Sequence, residues 1–248
     1  MKISTVVSYC SLDRRFIRPL LEQVLMFSDD IILVYFDHLL DGTPEPVDEV
    51  EQLRSVAPDK IRTLCLPFTN DNPPRYFHNL ARWQATEKTL HDHLLYLDAD
   101  EIPNGLAFKK FIDQGALDNY NAADFRCYWY FRNATNQAVQ TEHCGLYVKK
   151  ELIIKECMFT EHERWIFRHI PNIGYAPLVS GTEGPLIHHY SWVRTKDEML
   201  TKVGAWGHKN DKDWKSLVNE EFSKEFNGTD FVHGYSYRQV NDYFNIGL

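Results

Sequence analysis

Apolar residues over positions 1–100 alternate between short continuous runs and stretches in which they recur every three or four residues. Continuous runs rich in β-branched residues predict strands buried on both faces, whereas the helical spacing predicts amphipathic helices. Alternation of the two patterns is typical of βαβ units around a mostly parallel sheet. The predicted strands cover 3–8, 31–36, 61–66 and 93–97, and the predicted helices cover 16–26, 47–56 and 75–90.

The pattern of apolar positions changes after Pro103. No linker, repeat or low-complexity segment separates the two parts, so we expect one domain over 1–248 in which 105–248 is a lobe built onto 1–104. The fold class is therefore α/β, with a mostly parallel central sheet flanked by helices. The second half predicts a helix over 105–114, strands over 124–131 and 146–154, a loop-rich stretch over 159–184 and a charged, mainly helical tail from Thr195.

Three carboxylates follow the fourth predicted strand, in the sequence Leu-Asp-Ala-Asp-Glu at positions 97–101. Open α/β sheets bind ligands at the carboxyl ends of their strands, and Asp98 and Asp100 share a side because strand neighbours alternate. Carboxylates this close repel one another unless a cation lies between them, and Mg²⁺ or Mn²⁺ completes its shell with phosphate oxygens and water. The motif predicts such a cation on Asp98 and Asp100; a solvated acidic turn is the alternative.

The order of these segments resembles that of the GT-A fold glycosyltransferases, in particular their family-two-like group. The counterparts here are the strand 3–8, Asp37 with the turn 41–43, and the acidic motif 97–101. The resemblance implies a Rossmann-like GT-A sheet with a nucleotide-sugar-binding half over 1–104 and an acceptor-side half over 105–248. It also implies transfer of a sugar from a nucleotide-diphosphate donor to a glycan, lipid-linked or protein acceptor, with Mn²⁺ or Mg²⁺ on the donor pyrophosphate.

Carried over to this chain, the resemblance assigns three aspartates to donor binding. Asp100 is the principal metal ligand, Asp98 reaches the ribose or the metal, and Asp37 accepts a hydrogen bond from the base. The family commonly has two adjacent aspartates where this chain has Phe36 and Asp37, and often an asparagine where it has Cys10. These departures leave the identity of the base open.

Two further residues of the donor side follow the first predicted strand. Ser8 and Tyr9 are placed to bond to the base or to stack on it, and packing of Tyr9 under the loop is the alternative. Arg82 shares a helix face with Arg75 and Asn79, because their spacings are four and three residues. We expect that face to point towards the donor phosphates; a solvated face is the other interpretation.

Two adjacent histidines, His188 and His189, resemble the late His-Tyr element that several such transferases place near the metal. Consecutive strand positions point in opposite directions, so only one of the two can face the cation. We favour His188 as the ligand, because it alternates with Leu186 and Tyr190. A purely structural role for both histidines is the alternative.

An inverting transferase needs a carboxylate that takes the proton from the acceptor hydroxyl. Glu183 and Glu163, in the loop-rich stretch, are the candidates, and exposed surface acids are the alternative. Tryptophans at 165, 192, 206 and 214 offer flat faces for sugar rings, although aromatic residues also favour strands and cores. Lys202 and His208 lie in a charged segment that either closes over the pyrophosphate or forms an exposed helix.

The chain carries 35 acidic and 27 basic residues, a formal net charge of -8. This charge gives no support to binding through counterion release, so we exclude a nucleic-acid polymer as a partner. No apolar run reaches the ~18 residues of a membrane span, and 1–10 does not have the pattern of a signal peptide. We expect a cytosolic location, free or at the periphery of a membrane, and five reduced cysteines, none in a C-x-x-C pair.

Three alternative classes remain. The sequence over 98–102 nearly matches the nucleophile loop of haloacid dehalogenase-type phosphotransferases, but that loop follows the first strand of their fold. A nucleotidyltransferase is expected to have a Gly-rich phosphate loop after its first strand, and 8–15 contains no glycine. A non-catalytic carbohydrate-binding relative would keep the fold without the chemistry, and the intact acids of the motif argue against it.

Overall fold

The computed structural model describes residues 1–69, 71–155, 159 and 176–248, and it shows a mixed α/β fold built on one sheet. The strands of this sheet are β1 (Ile3–Ser8), β2 (Asp30–Phe36), β3 (Ile61–Leu66), β4 (His93–Asp98), β5 (Glu101–Pro103), β6 (Ala122–Phe131), β7 (Asn133–Lys149), β8 (Leu178–Val179), β9 (Ile187–Trp192) and β10 (Tyr237–Gln239). Their order is β3-β2-β1-β4-β7-β6-β9-β5, with β10 beside β7 and β8 beside β6.

Helices flank this sheet. In the described part of the chain they are α1 (Arg14–Val24), α2 (Val47–Arg54), α3 (Pro74–Lys88), α4 (Gly105–Asp113), α5 (Lys196–Ala205) and α6 (Trp214–Glu221). The α5 helix begins with a capping box, in which the Thr195 side chain accepts from the Glu198 backbone and the Glu198 side chain accepts from the Thr195 backbone. This cap satisfies two otherwise unpaired amides at the helix start and fixes where α5 begins.

The parallel part of the sheet consists of β3, β2, β1 and β4, as the alternating pattern predicted. Residues of β1 and β2 are almost entirely buried, because helices cover both faces of a parallel sheet. The register pairs Ser8 with Val34 on one side and with Asp98 on the other. The carboxyl ends of β1, β2 and β4 therefore lie side by side, and the acidic motif begins there.

The second half of the sheet differs from the predicted, mostly parallel arrangement. The β7 strand is antiparallel to both β4 and β6, and β5 is antiparallel to β9. Residues 133–145, which the sequence analysis did not assign to a strand, belong to β7 because they pair with β6 through a tight connection at Arg132, where φ is +62°. Pairing with a neighbour thus extends a strand through a polar stretch that lacks an apolar run.

Tryptophans of β6, β9 and α6 belong to a separate hydrophobic cluster in the second lobe. Trp129, Trp192 and Trp214 pack together with Phe131, Val203 and Val218, so α5 and α6 are attached to β6 and β9. None of the described helices is long and apolar enough to cross a bilayer. The position of α5 matters for function, since its Lys202 points back towards the acidic motif.

Candidate active site

A cavity of about 630 Å³ opens at the carboxyl ends of β1, β2 and β4. We call it the strand-end cavity. Its polar wall includes Ser8, Asp98, Asp100, His189 and Lys202, and its aromatic wall includes Tyr9, Trp129, Trp192, Trp206 and Trp214. Its size and its mainly apolar lining with a few polar groups are those of a small-molecule site.

Asp100 lies at the bottom of this cavity and is surrounded by cations. Its Oδ2 accepts a hydrogen bond from Nζ of Lys202 at 2.8 Å and lies 3.8 Å from the guanidinium of Arg194. Its Oδ1 lies 3.5 Å from Nε2 of His189. Burial alone would raise the pKa of Asp100, but these three neighbours outweigh it and hold that pKa well below its usual range. Asp100 is therefore an anion at neutral pH.

Asp98 has a different partner. The guanidinium of Arg82, which is only 4% exposed, donates to Oδ1 of Asp98 at 2.9 Å. The face of α3 that carries Asn79 and Arg82 is thus buried, not solvated. Glu101, buried beneath the motif, accepts from the backbone N–H of Asp98 at 3.0 Å and so shapes the turn after β4.

The structure corrects the choice between the two histidines. His189 lines the strand-end cavity, whereas His188 lies on the opposite face of β9, where its Nδ1 and the hydroxyl of Tyr130 are 2.7 Å apart. Burial lowers the pKa of His188 to about 3. Burial would also lower the pKa of His189, but hydrogen bonds to Asp100 and Cys127 raise it to about 10. His188 alternates with Leu186 and Tyr190 because that side of β9 is core.

Glu183, one of the two predicted catalytic acids, does not lie at the acidic motif. Glu183 is exposed and lines a second cavity, of about 710 Å³, together with His188, Tyr128 and Tyr243. Glu183 therefore does not line the strand-end cavity, and its role as catalytic base stays a prediction. Glu163 lies outside the described residues. Outside the acidic motif, the carboxylates that line the strand-end cavity are Asp13, Glu45 and Asp211, and burial raises the pKa of Glu45.

The predicted nucleoside residues fall into two groups. Ser8 and Tyr9 line the strand-end cavity, and the buried Oγ of Ser8 has no hydrogen-bond partner in the described part of the chain. Asp37 follows β2 but does not line the cavity; its Oδ1 accepts from the Phe68 backbone at 2.8 Å, and its neighbour His38 lines the cavity instead. The hydrogen bond to His38 lowers the pKa of Asp37.

Several residues of this site have no signal in the sequence. Arg194, which is 3% exposed, donates to Asp13 and to the backbone of Leu12, and its guanidinium lies 5.1 Å from the centre of the Phe16 ring. Arg194 thereby ties β9 to the start of α1. Apolar contacts and ion pairs between segments so distant in the chain leave no local pattern.

Cys127 and Cys144 also come together, on adjacent strands and next to His189. Among the described residues, these three form the one group of His, Cys, Asp or Glu ligand atoms that all lie within 4.8 Å of one another. Burial would raise the pKa of Cys127, but hydrogen bonds with Cys144 and His189 lower it to about 7. Both thiols are free, as the sequence analysis expected.

A divalent cation shared by Asp98 and Asp100 would need both carboxylates turned towards one point. In this structure Asp98 is bound to Arg82 and Asp100 to Lys202, and the two acids do not belong to the one ligand group found in the described ranges. The arrangement therefore does not fit a cation held between them. Metal ligation by Asp98 and Asp100 stays a prediction of the sequence.

No protein-family model matches the chain, and no curated protein matches it. Among solved structures, residues 1–349 of S. aureus TarS in complex with UDP-GlcNAc align with 90% of this chain and 73% of that chain, at 12% identity and a TM-score of 0.48. The glycosyltransferase GlyE of Streptococcus pneumoniae TIGR4 aligns with 90% of this chain and 64% of its own, at 16% identity and a TM-score of 0.45. A 4-diphosphocytidyl-2C-methyl-D-erythritol synthase aligns with 73% of this chain and 90% of its own, at 10% identity and a TM-score of 0.48. Similarity at this level concerns the arrangement of strands and helices, so the function is argued from the site.

Proposed function

We propose that the protein is a glycosyltransferase that moves a sugar from a nucleoside-diphosphate donor to a carbohydrate-containing acceptor. The observation that carries the proposal is the strand-end cavity, where the acidic motif, a buried lysine and several tryptophans meet. A cavity at the carboxyl ends of parallel strands is the usual ligand site of open α/β sheets. Its combination of fixed charge and flat aromatic faces suits a ligand that is part diphosphate and part sugar.

In this proposal, different residues of the cavity bind different parts of the donor. Ser8 and Tyr9, at the end of β1, are placed for the nucleoside, because the Ser8 hydroxyl is buried and has no hydrogen-bond partner within the described ranges. Charge develops on the leaving diphosphate as its bond to the sugar breaks, so a cation held nearby stabilises the transition state. Lys202 is such a cation in the wall of the cavity.

The acceptor hydroxyl must lose a proton as it attacks the sugar. In an inverting reaction a carboxylate takes this proton, and an acid with a raised pKa is the better base. Glu45 meets both conditions, because it lines the strand-end cavity and burial raises its pKa. Trp206 and Trp214 offer faces on which sugar rings can stack.

Donor hydrolysis tests the proposed function without knowledge of the acceptor. The protein is incubated with a panel of uridine, guanosine, cytidine and thymidine diphosphate sugars, each with EDTA and with Mn²⁺, and released nucleoside diphosphate is measured by chromatography. We expect slow release from one donor, reduced at least about tenfold by Asp100→Asn because Lys202 then loses its charged partner. Asp113→Asn, an exposed aspartate of α4, is the matched control and should leave the rate unchanged.

Other outcomes distinguish the alternatives. A nucleotidyltransferase would release pyrophosphate from a nucleoside triphosphate and a sugar phosphate. A carbohydrate-binding relative without chemistry would bind sugars but release no nucleotide. Failure of every donor in the panel to bind or to be hydrolysed would refute the proposed function.

A further inference from the structure

We propose that Lys202 stands in place of a divalent cation at the acidic motif, so that the donor diphosphate binds to its ammonium group and donor binding requires no metal ion. The inference rests on the proposed function and deepens it. It differs from the metal site expected from the sequence, because Asp100 binds the Lys202 ammonium group instead of a metal ion.

The position of the Lys202 ammonium is the first support. Its Nζ lies 2.8 Å from Oδ2 of Asp100, 3.0 Å from Oγ of Ser191 and 3.3 Å from the Ser191 carbonyl oxygen. A divalent cation on the same carboxylate would lie about 2.1 Å from Oδ2 of Asp100, the oxygen to which Lys202 donates its hydrogen bond. Two cations so close together, both in a site that excludes most water, repel each other strongly. Lys202 and a metal ion therefore compete for Asp100.

The number of cations around Asp100 is the second support. His189 lies 3.5 Å and Arg194 3.8 Å from its carboxylate oxygens, in addition to Lys202. An ammonium group has three N–H donors, and two of those of Lys202 go to Ser191. When the two N–H groups that bond to Ser191 turn instead to a phosphate oxygen, Asp100 still has His189 and Arg194 as cationic neighbours. Asp100 is thus not left as an uncompensated buried carboxylate when Lys202 turns to a ligand, although Arg194 also pairs with Asp13.

The rigidity of the surroundings is the third support. Lys202 projects from α5, whose start is fixed by the Thr195 capping box and by an ion pair between Glu198 and Arg15 at 2.6 Å. Its side chain is 10% exposed, and both it and Asp100 line the strand-end cavity. A charge that is already oriented costs no reorganisation when the ligand binds, which is the condition for effective electrostatic stabilisation.

Calorimetric titration of nucleoside diphosphates tests the inference. Uridine and guanosine diphosphate are titrated into the wild-type protein, first with EDTA and then with Mn²⁺. We expect the wild-type affinity for the preferred nucleotide to agree within about twofold under the two conditions. Binding that appears only when Mn²⁺ is present would overturn the inference and leave the proposed function standing. No binding of either nucleotide under both conditions would instead count against the proposed function.

Substitution of the lysine sharpens the test. Lys202→Met should lower the affinity measured with EDTA at least about tenfold, and Mn²⁺ should restore part of it, because Asp100 is then available to a cation. Lys202→Arg should retain more affinity than Lys202→Met, since it keeps the charge. Lys109→Met, an exposed lysine of α4, is the control and should bind as the wild type does. Unchanged affinity of a folded Lys202→Met protein would refute the inference; if that variant does not fold, the wild-type comparison decides.

Discussion

The Nζ atom of Lys202 lies 2.8 Å from Oδ2 of Asp100, although 102 positions separate the two residues in the chain. The lysine side chain is 10% exposed and the aspartate side chain 6%. This pair joins α5, in the second lobe, to the turn that follows β4. Because both charges are largely removed from water, deleting either one takes from the other its hydrogen-bonded partner of opposite charge.

Deleting both partners of this pair should therefore destabilise the protein by less than the sum of the two single deletions. We expect Asp100→Asn and Lys202→Met each to lower the free energy of unfolding by about 3 kcal/mol. The double variant should lose clearly less than the sum, with a coupling of about 1 kcal/mol or more. Urea denaturation at neutral pH measures all four proteins. The exposed pair Lys109 and Asp113 serves as the control cycle, with an expected coupling of about 0.3 kcal/mol. Additive losses at Asp100 and Lys202 would contradict the assignment.

How much of the fold the sequence predicted depends on how local each signal is. Strands such as Ile3–Ser8 and Ile61–Leu66 were predicted with the bounds that the structure shows, because a short run rich in apolar and β-branched residues is a local pattern. The long β7 strand was predicted only at its end, since residues 133–145 join it through pairing with β6. The antiparallel pairs of β7 with β4 and of β5 with β9 likewise depend on pairing between distant segments.

The same distinction applies to the site. Asp98 and Asp100 were predicted as site residues because they come at the end of a strand. Their partners Arg82 and Lys202 lie on helices, and Lys202 is 102 positions from Asp100 in the chain. The choice of His188 missed the cavity side of β9 for a physical reason. Alternation with Leu186 and Tyr190 marks the core side of β9, whereas His189 shares its side with the polar Ser191. Polarity of the flanking positions would have favoured His189.

At neutral pH one of the two adjacent histidines, His188, should be neutral and the other, His189, should be protonated. Burial lowers the pKa of His188 to about 3, whereas hydrogen bonds to Asp100 and Cys127 outweigh burial and raise the pKa of His189 to about 10. Nitrogen NMR of the imidazole rings should show His188 neutral and His189 protonated at pH 7, with His188→Gln and His189→Gln used for assignment. Two rings that both titrate near the ordinary value would contradict this expectation.

Stability should fall at alkaline pH through His189. A group whose folded pKa is raised contributes stability that is fully present below its unfolded pKa and is lost as pH rises through the folded value. For His189 this window runs from the ordinary histidine pKa of 6.5 to about 10. The free energy of unfolding should therefore fall across it more steeply in the wild type than in His189→Gln, by up to about 1.4 kcal/mol per pH unit. Urea unfolding at pH 6, 8 and 9.5 makes the comparison; parallel curves for the two proteins would argue against a protonated His189.

The tryptophans of the strand-end cavity should have two different roles: some contact the ligand, and others stabilise the core. Trp192 is 2% exposed and packs against the ring of Trp206 at 5.8 Å, whereas Trp206 is only half-buried and lines the cavity. We expect Trp206→Leu to weaken binding of the nucleotide sugar about tenfold, because a stacking face is lost, while binding of the free nucleoside diphosphate changes little. Trp192→Leu should instead lower the free energy of unfolding by about 3 kcal/mol, through the cavity it leaves. Calorimetry with both ligands and urea denaturation measure these effects. If Trp206→Leu weakened both ligands equally, its ring would contact the nucleoside end of the donor and the sugar would lie elsewhere.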